Sequence, residues 1–182
     1  MNSKNFNTEG WSLFLDRDGV INKRLVGNYV KKTEEFVFID GVLEAIAKLS
    51  TKFSRIFIVT NQQGIGKGLM TEKDLKQVHD FMGKKIVENA GKIDRIYYCP
   101  YLKEENHVNR KPNPGMGMQA RADFLDVILN KSVIVGDSAS DMQFGRNLGM
   151  ITALVGDKNE VIEENLYDLR FENLKAFTDF IK

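Results

Sequence analysis

A doubly wound α/β architecture with a mainly parallel sheet is what this sequence predicts. Three observations carry that expectation. Apolar runs of strand length recur along the chain, longer segments of helical period lie between them, and polar side chains collect where the apolar runs end. Nearly continuous apolar runs suit strands covered on both faces, as in a parallel sheet. Strand and helix in alternation point to βαβ units.

The first run is Ser12 to Asp16, followed by Arg55 to Thr60, Ile96 to Cys99, Ser132 to Asp137 and Ile151 to Val155. Leu43, Ile46, Ala47 and Leu49 predict a short helix beginning near Asp40-Gly41. Leu75, Val78, Met82 and Ile86 fall three and four residues apart, with Phe81 alongside, and predict a long amphipathic helix. A third helix should start near Pro114, since proline fits the first helical turn. A fourth should follow Ser138, whose spacing to Asp141 matches a capping box.

Composition sets the class. The chain has 182 residues, 42% apolar and 28% charged, which suits one globular domain over residues 1–182 with a core that needs no covalent staple. A net charge of +1 gives no reason to expect a nucleic-acid partner. Cys99 is the only cysteine, so no intrachain disulfide can form and a reducing compartment is expected. Residues 1–11 lack the apolar run of a signal peptide, and no stretch reaches the ~18 apolar residues of a membrane span. The expectation is a cytoplasmic monomer.

The chemistry should sit beyond the carboxyl ends of the strands, where open α/β sheets bind ligands. Asp16 and Asp18 are two carboxylates separated by one residue at a strand end. Asp16 can serve as a nucleophile and Asp18 as a proton donor and acceptor, with Gly19 permitting the tight turn between them. Read alone, the same residues also suit an acidic strand-to-loop turn. Asp137 closes a later strand. With Asp16 and the backbone carbonyl of Asp18 it would suffice for magnesium, which takes one or two carboxylates and leaves room for water and phosphate. Asp141, one turn on, is either a helix cap or an outer partner of that site. Thr60, Asn61, Gln62 and Gln63 follow the second strand and offer hydroxyl, amide and backbone donors to phosphate oxygens. Gly64, Gly66 and Gly68 match no phosphate-loop fingerprint and are read as loop geometry. Arg110 and Lys111 supply cations, the lysine as a compact charge and the arginine as a fork.

Four of these features, Asp16-x-Asp18-Gly19, Thr60-Asn61, Lys111-Pro112 and Gly136-Asp137 with Asp141, stand in the order that resembles the haloacid dehalogenase (HAD) superfamily of phosphohydrolases. The resemblance spans Leu13 to about Val155. Longer stretches, Phe14 to Asn22, Thr60 to Ile65, Tyr97 to Pro100 and Arg110 to Met116, are similar to the branch of heptose 1,7-bisphosphate and histidinol-phosphate phosphatases. It implies a Rossmann-like fold and a magnesium-dependent phosphomonoester hydrolase that forms an aspartyl phosphate on Asp16. By the same resemblance Asp18 is the acid/base, Asp137 a magnesium ligand, Thr60 and Lys111 the holders of the phosphate, and Arg110 a selector of substrate. Tyr29 falls in a substrate-facing loop. The implied substrate is a small phosphorylated sugar, a heptose bisphosphate first and histidinol phosphate second.

Two departures from that branch stand out. Of the positions that often carry a zinc loop only Cys99 and His107 remain, so structural zinc is not expected; Cys99 is then a buried small residue and His107 an exposed loop side chain. Ser138 replaces a lysine common after the last aspartate. Neither interval between motifs is long enough for a large cap domain, which leaves selectivity to the loops at residues 23–30 and 100–109. His79, within the long helix, is expected to be structural or exposed. Readings of other classes are a receiver domain that accepts phosphate on aspartate, and a non-catalytic sugar-phosphate-binding domain. A receiver has no use for the second aspartate, and a degenerate binder has none for an intact acid–lysine set.

Overall fold

The structure, a computed structural model, describes residues 8–157 and 161–181. The polar stretch of residues 1–7 lies outside them. Six strands run β1 (Ser12–Leu15), β2 (Arg55–Asn61), β3 (Arg95–Cys99), β4 (Ser132–Gly136), β5 (Ile151–Val155) and β6 (Leu169–Phe171). Among the described residues five α-helices separate or follow them: α1 (Val42–Ser50), α2 (Glu72–Glu88), α3 (Gly115–Asp123), α4 (Ala139–Asn147) and α5 (Leu174–Phe180). All neighbouring strands pair in parallel, in the order β3-β2-β1-β4-β5-β6.

Alternation along the strands builds a core on each face of the sheet. Leu13 and Leu15, Ile56 and Ile58, Val133 and Val135 pack with Val42, Ile46 and Leu49 of α1, Val78, Met82 and Ile86 of α2, and Leu174 and Phe177 of α5. Phe14, Phe57 and Ile134 turn the other way, onto Met116 and Ala120 of α3 and Phe144 of α4. Every strand residue from Ser12 to Leu15 is buried, which is why β1 reads as an unbroken apolar run. The expected long helix is α2, and its start is fixed by a capping box between Thr71 and Asp74. In α1 the buried residues are Val42, Ala45, Ile46 and Leu49, while Leu43 and Ala47 are half-buried. α3 begins just after Pro114 and α4 just after Ser138, as the sequence predicts.

β6 and α5 lie beyond what the pattern disclosed: one is a half-buried strand of three residues, the other a helix of seven. Among the described residues no helix is long and apolar enough to cross a membrane. β2 and β3 are joined through α2 and its loops, with no inserted cap domain there.

The chain leaves β1 outward through β2 and β3, then returns to add β4, β5 and β6 on the other side. The seam between β1 and β4 is therefore the topological switch point, where the first residues past each strand open a crevice.

Candidate active site

Asp16 takes one more step of the ladder past β1, its N–H donating to the Val135 carbonyl at 2.9 Å. That bond sets its side chain beside the exit of β4, which Gly136 closes and Asp137 follows. Gly19 folds the chain back at φ +94°, and a Cβ there would overlap Asp137 Oδ2, so the close approach of these two segments requires glycine. Asp141, held in the first turn of α4, completes an acidic group. One carboxylate oxygen from each of Asp16, Asp137 and Asp141 lies within 4.8 Å of the other two.

Lys111 enters this group from the loop before α3. Its Nζ is 2.8 Å from Asp16 Oδ1 and 2.5 Å from Asp141 Oδ1, and donates to the Val59 carbonyl at 2.7 Å. All three ammonium protons thus have acceptors, as a lysine only 3% exposed requires. Asn61 sets the lysine's backbone by accepting from its N–H at 3.0 Å and donating to its carbonyl at 3.1 Å. The amide expected to meet phosphate is thereby engaged with Lys111. Asp141 is the helix cap read for it, with Oδ2 accepting from Ser138 N and Oγ, and its Oδ1 faces Lys111.

The charges on this side do not balance. Burial raises the Asp137 carboxyl, and the Asp16 and Asp141 carboxylates raise it further, to about 8, against the pull of Arg24 and Lys111. Burial likewise raises Asp16; Lys111 opposes it, Asp141 and Asp18 add to it, and the result is about 6. For Lys111 burial works against the charge, but Asp141 and Asp16 outweigh it and hold the ammonium above the usual lysine range. Three clustered carboxylates offering hard oxygen donors, two of them resisting ionisation, fit a divalent cation of the magnesium kind.

Asp18 lives differently. Arg17 Nη2 donates to Oδ1 at 3.0 Å and Oδ2 at 2.8 Å, Asn22 Nδ2 reaches Oδ1 at 2.9 Å, and Gln62 Nε2 reaches Oδ2 at 2.9 Å. Burial favours its neutral form, yet Arg17, Asn22 and Gln62 together prevail and lower its pKa. This corrects the expectation for Gln62. It is 1% exposed, does not line the cleft, and also donates to Thr60 Oγ1 at 2.9 Å. Its place at the end of β2 turns the amide inward to hold Asp18 and Thr60 instead of outward to substrate.

A cleft of about 510 Å³ opens over the strand ends. Asp16, Asp18, Thr60, Asn61, Lys111 and Asp137 form its floor, and Arg24, Tyr29, Gln63, Lys67 and Arg110 line it as well. Gln63 links two expected substrate residues, donating to Tyr29 Oη at 3.0 Å and accepting from Arg110 Nη2 at 3.3 Å. Arg24 Nη1 lies 3.2 Å from Asp137 Oδ2.

Arg17, Asn22, His79, Arg24 and Lys67 were not assigned to the site from sequence. A charged residue beside a motif aspartate was the hint for Arg17, Asn22 closes the first motif stretch and Arg24 lies in the loop expected to set selectivity; nothing in the pattern marks His79 or Lys67. His79 is buried against Arg17, so it is not exposed. His107 is half-buried with its ring stacked 3.9 Å from Tyr101, so the exposed loop residue expected there is corrected too. Cys99 is fully buried, and neither residue belongs to a group of three or more possible metal ligands among the described residues.

Comparison with known proteins finds phosphatases. The D-glycero-alpha-D-manno-heptose-1,7-bisphosphate 7-phosphatase of Campylobacter jejuni is 40% identical over 171 residues, 94% of this chain and 95% of that one. The D-glycero-beta-D-manno-heptose-1,7-bisphosphate 7-phosphatase of Helicobacter pylori is 34% identical, covering 96% and 99%. The solved D,D-heptose 1,7-bisphosphate phosphatase of B. bronchiseptica, complexed with magnesium and phosphate, superposes with a TM-score of 0.83 at 31% identity over 93% of this chain and 96% of that one. Residues 13–168 match the sequence profile of the polynucleotide kinase 3 phosphatase family. The chain belongs to that family, within the HAD superfamily of phosphatases.

Proposed function

We propose that the protein removes the 7-phosphate of a D-glycero-D-manno-heptose 1,7-bisphosphate by way of a phosphoryl group carried on Asp16. The observation that carries this reading is Lys111 Nζ at 2.8 Å from Asp16 Oδ1, with Asp137 beside it at the switch point. A carboxylate oxygen held there by a fixed ammonium can attack phosphorus along one line while the leaving oxygen departs along the opposite one. Lys111 offsets the charge of nucleophile and phosphate together. Asp18, ionised in the free protein, takes a proton from the incoming phosphate monoanion and passes it to the leaving oxygen as the P–O bond breaks and the Asp16–phosphate bond forms. Water then attacks the aspartyl phosphate, and Asp18 takes a proton from it as the carboxylate is released. Magnesium, held by Asp16 and Asp137 with the Asp18 carbonyl, would supply the positive charge that lets an anionic phosphate approach anionic carboxylates.

Arg24, Lys67 and Arg110 on one cleft support a substrate with a second anionic group, and the match to 7-phosphatases over nearly the full length of both chains supports the heptose. The family profile favours one further reading, a nucleic-acid 3′-phosphate. Steady-state kcat/KM with magnesium should decide between them, using both anomers of the heptose bisphosphate, histidinol phosphate and a 3′-phosphorylated oligonucleotide. The bisphosphate is expected to lead; a higher value for either other substrate overturns the assignment.

A further inference from the structure

The most deeply buried cation of the site takes no part in the steps above. Arg17 is 0% exposed, and such a guanidinium is tolerated only where its charge is paired; its Nε has no hydrogen-bond partner, so the pairing rests on the two terminal nitrogens. One side of its fork grips both oxygens of Asp18. The other, Nη1, lies 3.1 Å from His79 Nε2. Arginine can only donate, so Nε2 accepts and the ring proton sits on Nδ1. The imidazole is neutral there, because burial and then the Arg17 charge push its pKa down to about 3. His79 is 8% exposed and shares the buried face of α2 with Leu75, Val78, Met82 and Ile86. It is the one polar residue on that face, and its ring meets Tyr98 edge-on at 6.2 Å.

A carboxyl that must give a proton to one oxygen and later take one from another has to keep its place through both events. Asp18 is held by Asn22 and Gln62 as well, but among the described residues only Arg17 spans both its oxygens, and Arg17 is itself aimed from α2. We propose that His79 is a positioning residue for proton transfer, acting through the Arg17 fork to fix the rotamer of Asp18. The inference rests on the acid/base role given to Asp18 above.

The test compares a poor leaving group, the sugar phosphate, with a good one, 4-nitrophenyl phosphate, which needs little protonation to depart. His79→Leu should lower kcat/KM for the sugar phosphate about 10- to 100-fold, the usual range for outer partners of a catalytic group, and barely change that for the aryl ester. His79→Gln, whose amide oxygen can accept from Nη1, should recover most of the loss. Adding His79→Leu to Asp18→Asn should cause no further loss on the sugar phosphate. Equal losses on both esters, or full additivity with Asp18→Asn, would show a merely structural histidine and overturn the proposal. Asp18→Asn alone separates the two failures: if it too slows both esters equally, the acid/base reading of Asp18 is what falls. Should His79→Leu not fold, Arg17→Lys keeps the charge but loses the fork. It must then show the same leaving-group bias, and unbiased losses reject the proposal.

Discussion

Asp16 and Asp18 leave the same strand two residues apart, and burial pushes both toward the neutral form. They end on opposite sides of the ordinary carboxyl value, Asp16 at about 6 and Asp18 below it. The difference comes from the seams they face. Toward β4, Asp16 meets two more carboxylates and one buried ammonium. Toward β2, Asp18 meets a guanidinium and two amides, all donating to it. The first seam is arranged to receive positive charge, while the second satisfies its own carboxylate from within the protein. One sheet edge thus offers a nucleophile on one side and a proton carrier on the other, distinguished by neighbours alone.

The sharpest break in that contrast is Asp16→Asn. Turnover should fall by at least about 10⁴-fold, as for loss of a nucleophile, while circular dichroism and Tm hold steady or rise because repulsion with Asp137 and Asp141 is relieved. Residual turnover within tenfold of the native protein would move the nucleophile elsewhere. Lys111→Met attacks the same seam from the cationic side. It leaves two carboxylates without their ammonium, and breaking a buried pair in this way costs about 3–5 kcal/mol, readable by urea unfolding. Combining it with Asp16→Asn should return part of that loss; strict additivity would mean the lysine contributes through packing alone.

A third test uses pH on metal-free protein. Asp137 keeps its proton to about pH 8 when folded, against an ordinary value of 3.8, so between those values the folded state binds the extra proton. Stability then falls as pH rises through that range. His79 acts oppositely, its folded value of about 3 lying below the ordinary 6.5, but its effect is confined below pH 6.5. Asp16 is finished near pH 6. From pH 6.5 to 8 the unfolding free energy should therefore drop, by at most about 2 kcal/mol for one linked proton. Asp137→Asn should flatten the slope, and saturating magnesium should remove it, since the ion binds the ionised carboxylates. A flat or rising profile in chelator would show that the acidic seam is already balanced.

The two seams were unequally legible. Asp16 and Asp137 could be read because each ends an unbroken apolar run, and strand ends in a parallel sheet converge whatever their separation in sequence. Lys111 could be read from its motif. The β2 seam was not legible: the contact of Arg17 with His79 joins residues 62 apart through a helix face whose periodicity marks it as apolar. Gln62 was misread for a related reason. Position after a strand tells that a side chain is near the site, but which way it turns depends on a buried acceptor that the local sequence does not encode. β6 and α5 escaped because three and seven residues are too few to display a period.

Arg24 supplies the smallest and most discriminating test of the comparison. Its side chain is 56% exposed, and among the described residues its reach to Asp137 Oδ2 at 3.2 Å is an ion pair of the acidic seam that solvent can screen. Exposed pairs of this kind contribute less than about 1 kcal/mol, so Arg24→Gln should shift unfolding by no more than that. Arg24 nevertheless lowers the Asp137 carboxyl, which means it shares a ligand with any cation bound there. Removing its charge should tighten magnesium binding a few-fold by calorimetric titration, most visibly at low ionic strength where screening is weak. A loss of several kcal/mol with weaker magnesium binding would reverse the interpretation. Arg24 would then be the charge that completes the β4 seam, and both carboxylates would be satisfied by the protein itself.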